Sequence, residues 1–244
     1  MPVIALQGLR GGVGVTSIAA GLAWALQQLN ESVLVIDFTT DNLLRLHFNM
    51  LFEQKEGWVR SYLEKHDWKE SIYSYNRRLS YLPFGKITQA ERVELENKLQ
   101  ENPFFWQKNI EDVLAKNEYR WILLDLPSDD TLLTQQGLES ADFVFLLLTP
   151  DINCHTRLHQ QKIPKHCYFL INHYSPAKPL QKDLYQLWQR VLPNFLPIIL
   201  HSDEAIAESL AAKKPIGEFH AHSLIANDIS ELANWCMNND SRDA

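Results

Sequence analysis

Three glycines in four positions, Gly11, Gly12 and Gly14, stand between a short apolar run (residues 3–6) and an apolar helical run (18–29). The chain has only nine glycines, so this concentration at a strand exit constrains the fold more than any other feature. Such a loop turns successive backbone N–H groups inward, and the helix that follows adds the positive end of its dipole. The segment Arg10, Gly11, Gly12, Val13, Gly14, Val15, Thr16, Ser17 is therefore a candidate nest for phosphate. The usual phosphate loop carries a lysine before its final Ser/Thr pair. Here that position is Val15.

The rest of the chain alternates in the way such a loop requires. Apolar runs of strand length recur at 3–6, 33–36, 79–82, 121–124, 143–148, 168–171 and 196–200. Amphipathic segments lie between most of them, at 16–29, 90–99, 109–116, 180–192 and 203–212, and a closing helix is expected over 223–237. Short strands that are apolar on both faces, separated by helices, imply a parallel sheet covered on both sides. The expected architecture is α/β, a single doubly wound, mostly parallel sheet in one domain over 1–244, with a frayed tail at 238–244. Residues 53–78 mix polar and aromatic side chains and read as helical and loop elements on the sheet rim.

In open sheets ligands gather at the carboxyl ends of strands. The residues there are the glycine loop, Asp37, Asp125, Thr149-Pro150-Asp151 and Asn172. Two separate carboxylates near a phosphate nest suit Mg²⁺, held mostly through its waters, with Thr16 as a direct hydroxyl ligand. Asn172 offers both a donor and an acceptor, which suits a purine edge. A rival reading is the dinucleotide fingerprint, Gly12-x-Gly14-x-x-Ser17 with Asp37 beyond it. It leaves Gly11, the Thr16-Ser17 pair, Asp125 and Asn172 without a task. The plainest reading is a glycine turn with no ligand.

The net charge of −7 disfavours a protein whose main partner is nucleic acid, since phosphate neutralisation needs a concentrated basic face. No apolar stretch approaches the ~20 residues of a membrane span, and no leader-like segment is evident, so a cytoplasmic location is expected. The three cysteines, Cys154, Cys167 and Cys236, form no CxxC pair and read as buried free thiols. His155 and His159 stand at i, i+4, yet Thr156 replaces the glutamate of a zinc helix, so a structural or surface role is expected.

These residues carry a family resemblance over essentially the whole chain. Arg10-Gly11-Gly12-Val13-Gly14-Val15-Thr16 resembles the deviant phosphate loop of the MinD/ParA class of ATPases. Asp37-Phe38-Thr39-Thr40-Asp41-Asn42 falls on that class's first switch, and Trp121-Ile122-Leu123-Leu124-Asp125-Leu126-Pro127 falls on its Walker B strand. Leu170-Ile171-Asn172 is similar to its adenine-contacting strand end. Within the class the chain is similar to the BcsQ family of cellulose synthase operons. The strings that carry this include Leu82-Pro83-Phe84-Gly85, Asn153-Cys154-His155 with Arg157-Leu158-His159, and Ala233-Asn234-Trp235-Cys236.

The resemblance implies ATP and Mg²⁺ as cofactors and a homodimer closed across ATP. Arg10 holds the place of the class's signature lysine, which reaches the partner's phosphates, and Arg157 is a second candidate for that contact. Val15 and Thr39 replace the Walker lysine and the switch aspartate, which implies very slow or absent hydrolysis. The alternative is an active MinD/ParA-type ATPase for subcellular positioning or DNA partitioning. The family resemblance also implies partners at the cytosolic side of the inner membrane: BcsR-like and BcsE-like proteins and the synthase complex. The MinD branch binds lipid through a basic C-terminal helix. Here that end carries Asp228, Glu231, Asp240 and Asp243 against Arg242, so its apolar residues are expected to pack on the body or on a protein partner, with no direct membrane insertion.

Overall fold

Parallel pairing dominates the computed structural model, which describes residues 2–239. The first half runs β1 (Val3–Gly8), α1 (Val15–Gln28), β2 (Val33–Asp37), α2 (Trp58–Leu63), β3 (Tyr73–Ser74) and β4 (Leu79–Leu82). It continues with α3 (Gln89–Glu101), α4 (Phe105–Ala115) and β5 (Trp121–Leu126). The second half runs α5 (Leu132–Glu139), β6 (Phe143–Leu148), α6 (Ile152–Gln160), β7 (Cys167–Tyr174) and α7 (Pro179–Val191). It closes with β8 (Phe195–His201), α8 (Ala205–Ala211), α9 (Ile216–Phe219) and α10 (Leu224–Asn238). One eight-stranded sheet results, in the order β3-β4-β2-β5-β1-β6-β7-β8. Every neighbouring pair is parallel except β3–β4.

Each strand expected from an apolar run is present. The central β1 is buried along its whole length between β5 and β6, as a strand covered on both faces must be. Several strands run past their apolar stretch. Asp37, Asp125 and Asn172 are thereby carried inside β2, β5 and β7, and register pairs Asp37 directly with Asp125.

Three expectations need correction. Residues 53–78 hold α2 and a 3-10 turn, as expected of helical rim elements, but also the antiparallel edge strand β3. Their aromatics are not all on the rim. Trp58 and Trp68 are buried with Phe38, Phe84, Phe105 and Trp106 in an aromatic cluster. A segment with no clean period shows nothing of such packing, because its partners come from other elements. The second correction is α5, which leaves little local signal: it is short and carries Gly137 where Leu126 presses against it. The third is the tail. Asn238 is the last residue of α10, while 240–244, with Asp240, Arg242 and Asp243, lie outside the described residues.

Helix α10 turns Ile225, Ala226, Ile229, Leu232, Ala233 and Cys236 inward, against α1 and β8. Trp235 packs edge-on to Phe145 and Tyr168, so this apolar face is taken by the body. Among the described residues no helix is long and apolar enough to cross a membrane.

Candidate functional site

The loop between β1 and α1 is anchored by Val13, fully buried, while Gly11 and Gly12 are exposed. Gly12 and Gly14 have φ of 77° and 89°, the left-handed region where a Cβ is costly. Gly14 is the N-cap of α1 and no side chain caps that helix, so its first amide donors have no capping partner. Space is restricted as well. A Cβ on Gly14 would lie 2.7 Å from Asn172 Nδ2. Val15, in the lysine position, is packed against the hydrophobic core.

On the β5–β2 side of the loop lie the two carboxylates. Asp37 and Asp125 are both fully buried. Asp37 Oδ1 accepts from the Thr39 hydroxyl (2.6 Å) and the Thr39 amide (2.8 Å). Asp37 Oδ2 and both Asp125 oxygens are buried without a hydrogen-bond partner, with the Thr16 hydroxyl turned towards Asp125. Burial pushes Asp37 up to about 7, against the Thr39 donors and the Leu44 amide. Burial, then the neighbouring Asp37 charge, holds Asp125 well above the usual carboxylate range. Buried acceptors without donors are costly unless a ligand completes them. A hydrated Mg²⁺ does so through its charge and its waters, and Thr16, Asp37 and Asp125 fit that ion. No group of three or more His, Cys, Asp or Glu among the described residues offers a direct metal cage.

The other expected site residues have occupations of their own. Asn172 Nδ2 donates to the Val13 carbonyl (2.8 Å), so one of its N–H groups holds the loop, and the second N–H and the Oδ1 acceptor remain for a base. Arg10 folds back on its own chain: Nη2 donates to Asp151 Oδ2 at 2.6 Å and Nη1 to the Gly11 carbonyl at 2.9 Å. Asp151 also caps α6, accepting from the Cys154 amide at 2.8 Å. Burial works against its ionisation, but the Cys154 amide and the Arg10 guanidinium hold the carboxyl below its usual range. Arg157 is exposed. With the Gln161 amide turned to suit its neighbours, Gln161 accepts from Arg157 Nη1 (2.8 Å) and donates to the Leu9 carbonyl (3.0 Å). His155 Nδ1 accepts from the Trp188 indole at 3.1 Å, a structural contact. All three cysteines are free and buried.

Of three further polar residues, His47 left no sign in the sequence, while Asn42 and Thr149 stood there only in the switch-like string and among the strand ends, with no role for either. His47 is buried and shares a hydrogen bond with the Ser17 hydroxyl (3.2 Å). Burial takes its imidazole down to about 4, opposed by the Lys214 backbone, so it is neutral at neutral pH. Asn42 is buried with both amide atoms unpartnered, and Thr149 Oγ1 is likewise buried and unpartnered. Nothing local marks them, since each depends on how loops from different strands meet.

Comparison with known proteins decides the family. The model described as "Cellulose biosynthesis protein BcsQ" matches residues 1–237. The chain belongs to the BcsQ family. The cellulose biosynthesis protein BcsQ of Escherichia coli (strain K12) is 44% identical over 98% of this chain and 95% of its own length. Among solved structures, the septum site-determining protein MinD of Pyrococcus horikoshii OT3, complexed with Mg-ADP, superposes with a TM-score of 0.78 at 19% identity. That match covers 100% of this chain and 98% of the other. A ParA family ATPase from Chlorobium tepidum TLS gives a TM-score of 0.72 at 18% identity, over 96% and 98% of the two chains. At those identities the likeness is one of fold. The BcsQ family member described here thus has the MinD/ParA architecture.

Proposed function

We propose that this chain is an ATP- and Mg²⁺-binding accessory protein of bacterial cellulose synthesis and secretion that closes as a homodimer across ATP and hydrolyses it very slowly or not at all. One observation carries the reading: an uncapped helix with a left-handed glycine N-cap lies beside buried carboxylate oxygens short of hydrogen-bond partners, with the Thr16 hydroxyl turned towards Asp125. A phosphate on the loop amides and a cation beside Asp37 and Asp125 would complete both sets of groups.

The backbone amides from Gly11 to Ser17 would hold the phosphates, with Thr16, Asp37 and Asp125 around the ion. Bound Mg²⁺ supplies charge neutralisation of the phosphate oxygens. Catalysis of phosphoryl transfer is nearly all positioning and charge stabilisation, and losing one well-placed donor typically costs on the order of 10²–10³ in rate. Val15 faces the core, and Thr39 gives its hydroxyl to Asp37. Neither supports the attack of water. Arg10, with its charge and fork geometry, is the group we assign to the phosphates of the opposite copy, and Arg157 is a second, more exposed cation near the same edge. Closing the dimer would require Arg10 to exchange Asp151 for phosphate.

The cellulose role rests on family membership, and the proposed partners are BcsR-like and BcsE-like proteins and the synthase complex, which would bring the chain to the inner membrane from the cytoplasm. The test is to measure the mass of the purified protein with and without Mg-ATP, alongside phosphate release. A doubling of mass with release no faster than the buffer blank is expected. Rapid release without a partner would instead favour the working ATPase of the MinD/ParA kind.

A further inference from the structure

The glycine loop offers a phosphate few side-chain donors. Gly11, Gly12, Val13, Gly14 and Val15 supply none, and Arg10 gives N–H groups to Asp151 and to the Gly11 carbonyl. The Thr16 hydroxyl is turned towards Asp125. Ser17 remains. It is the third residue of α1 and half-buried. A hydroxyl has one proton to donate and lone pairs that accept, while an ionised phosphate only accepts. Where the Ser17 proton points therefore decides whether this side chain attracts or repels a phosphate.

His47 faces that hydroxyl. It stands in the 3-10 turn Leu44–Phe48, which packs on α1, and its Nε2 lies 3.2 Å from Ser17 Oγ. The residue is 1% exposed, and its Nδ1 is buried without a partner. The buried Arg45 guanidinium fixes the turn by donating to the carbonyls of Asn42, Leu51, Phe52 and Gln54. Burial keeps the imidazole neutral at neutral pH, so it has one N–H and one bare nitrogen. With Nε2 bare, Ser17 gives its proton to the ring's lone pair and shows a phosphate only lone pairs of its own. With the proton on Nε2, the ring donates to Ser17 Oγ, and the hydroxyl is free to donate to a phosphate oxygen. In such a chain each hydrogen bond polarises the next. Turning Ser17 away from His47 instead would strand a buried ring nitrogen, which is costly.

We infer that His47 is a positioning residue of the phosphate site: in the nucleotide-loaded protein its ring proton sits on Nε2 and is hydrogen-bonded to Ser17 Oγ, which directs the Ser17 hydroxyl onto a phosphate oxygen. This rests on the nucleotide-binding reading above. With Val15 in the lysine position the loop has no ammonium for the phosphates, so an oriented hydroxyl matters more there. His47 acts through Ser17, and no proton passes to the nucleotide.

The first test uses the wild-type chain. Long-range proton–nitrogen NMR of the isotope-labelled protein reports which ring nitrogen carries the proton, with Mg-tripolyphosphate and with Mg-ATP; His47→Gln assigns the His47 signals by their absence. A protonated Nε2 is expected in both loaded samples. A bare Nε2 with either ligand bound would overturn the inference. The second test measures Mg-tripolyphosphate binding by calorimetry. His47→Leu removes both ring nitrogens and should weaken binding about 10-fold, the size of one lost hydrogen bond to a charged group. Ser17→Ala should do the same. His47→Gln, whose carboxamide places an N–H near the Nε2 position, should bind nearly as the wild type does. The double variant His47→Leu/Ser17→Ala should bind no more weakly than Ser17→Ala, because the two side chains act as one unit. A second loss of equal size in the double variant would overturn the inference and leave the nucleotide reading standing, since His47 would then support the loop by a route that bypasses Ser17. A wild-type chain that binds neither Mg-tripolyphosphate nor Mg-ATP would sink the nucleotide reading itself and this inference with it.

Discussion

Asp37 and Phe38 are adjacent in sequence, and they open onto two regions built by opposite rules. Phe38 belongs to the aromatic cluster. Its ring lies 4.6 Å from Trp106, centroid to centroid, and Trp106 lies 4.8 Å from Trp58. Trp58 Nε1 donates to the Asp37 carbonyl (2.8 Å) and Trp68 Nε1 to Asn109 Oδ1 (2.7 Å). Only the Trp106 indole is left without a partner there. The side chain of Asp37 belongs to the carboxyl edge, where the pattern reverses. Apart from Trp106 Nε1, the buried unpartnered side-chain atoms among the described residues lie on Arg10, Asp37, Asn42, His47, Asp125 and Thr149. Native interiors satisfy almost every buried polar group. A concentration of exceptions at the carboxyl edge is, on the function proposed above, where the fold gives up stability to keep groups ready for a ligand, beside an aromatic cluster that is almost fully satisfied.

The comparison can be broken from either side. Trp58→Ala should cause the largest loss of stability, ~3–5 kcal/mol, through cavity formation and loss of its bond to Asp37; chemical denaturation measures it. A loss under ~1 kcal/mol, the size of a single hydrogen bond, would mean that the cluster does not support the edge.

The carboxylate pair comes next. Asp37 keeps its proton in the fold up to about 7, while the unfolded chain ionises near the ordinary carboxylate value. Between those two values the fold binds more protons, so stability falls as pH rises. At about 1.4 kcal/mol per pK unit, Asp37 by itself takes away ~2–3 kcal/mol between about pH 5 and about pH 8, whereas buried, neutral His47 works in the opposite direction over the lower part of that range. The stability difference between the wild-type chain and Asp37→Asn should fall by that amount over the range, and Mg-ATP should suppress the change. A wild-type-minus-variant difference that does not change with pH would contradict the idea of stored electrostatic cost.

Gly12→Val should cost a smaller ~1–2 kcal/mol of stability, from a side chain forced into left-handed backbone, yet it should remove measurable Mg-ATP binding. Smallest in stability is Arg10→Ala. Its ion pair with Asp151 is partly exposed, and such pairs contribute ~1 kcal/mol or less. That variant should still bind ATP while losing the ATP-dependent doubling of mass seen by sedimentation. Effects on stability and effects on ligand-dependent behaviour should thus run in opposite order along the series. If Trp58→Ala and Arg10→Ala changed both alike, the two regions would be one.

Much of this was legible in the residues. The glycine cluster, the seven apolar runs and the carboxylates closing two of them are local features, each encoded by a period or a run that neighbours in sequence share. They gave the parallel sheet, the glycine turn between β1 and α1, and two carboxylates at strand ends, whose direct pairing came from the register of β2 and β5. The positions of Arg10, Asn172 and His47 were not legible. Arg10 meets Asp151 across 141 positions, Asn172 meets Val13 across 159, and Ser17 meets His47 across 30. The aromatic cluster is another such case, assembled from α2, α4 and the ends of β2 and β4.

By itself, then, the sequence determined which segments become strands, where the chain must turn on glycine, and which charged groups end at the sheet's edge. It could do so because backbone sterics and burial periodicity act over a few residues. Only the tertiary structure decided that Arg10 rests on its own Asp151, that Asn172 holds the loop, and that His47 lies against Ser17. Those outcomes depend on which strands become neighbours, and strand order is fixed by crossover packing over the whole chain.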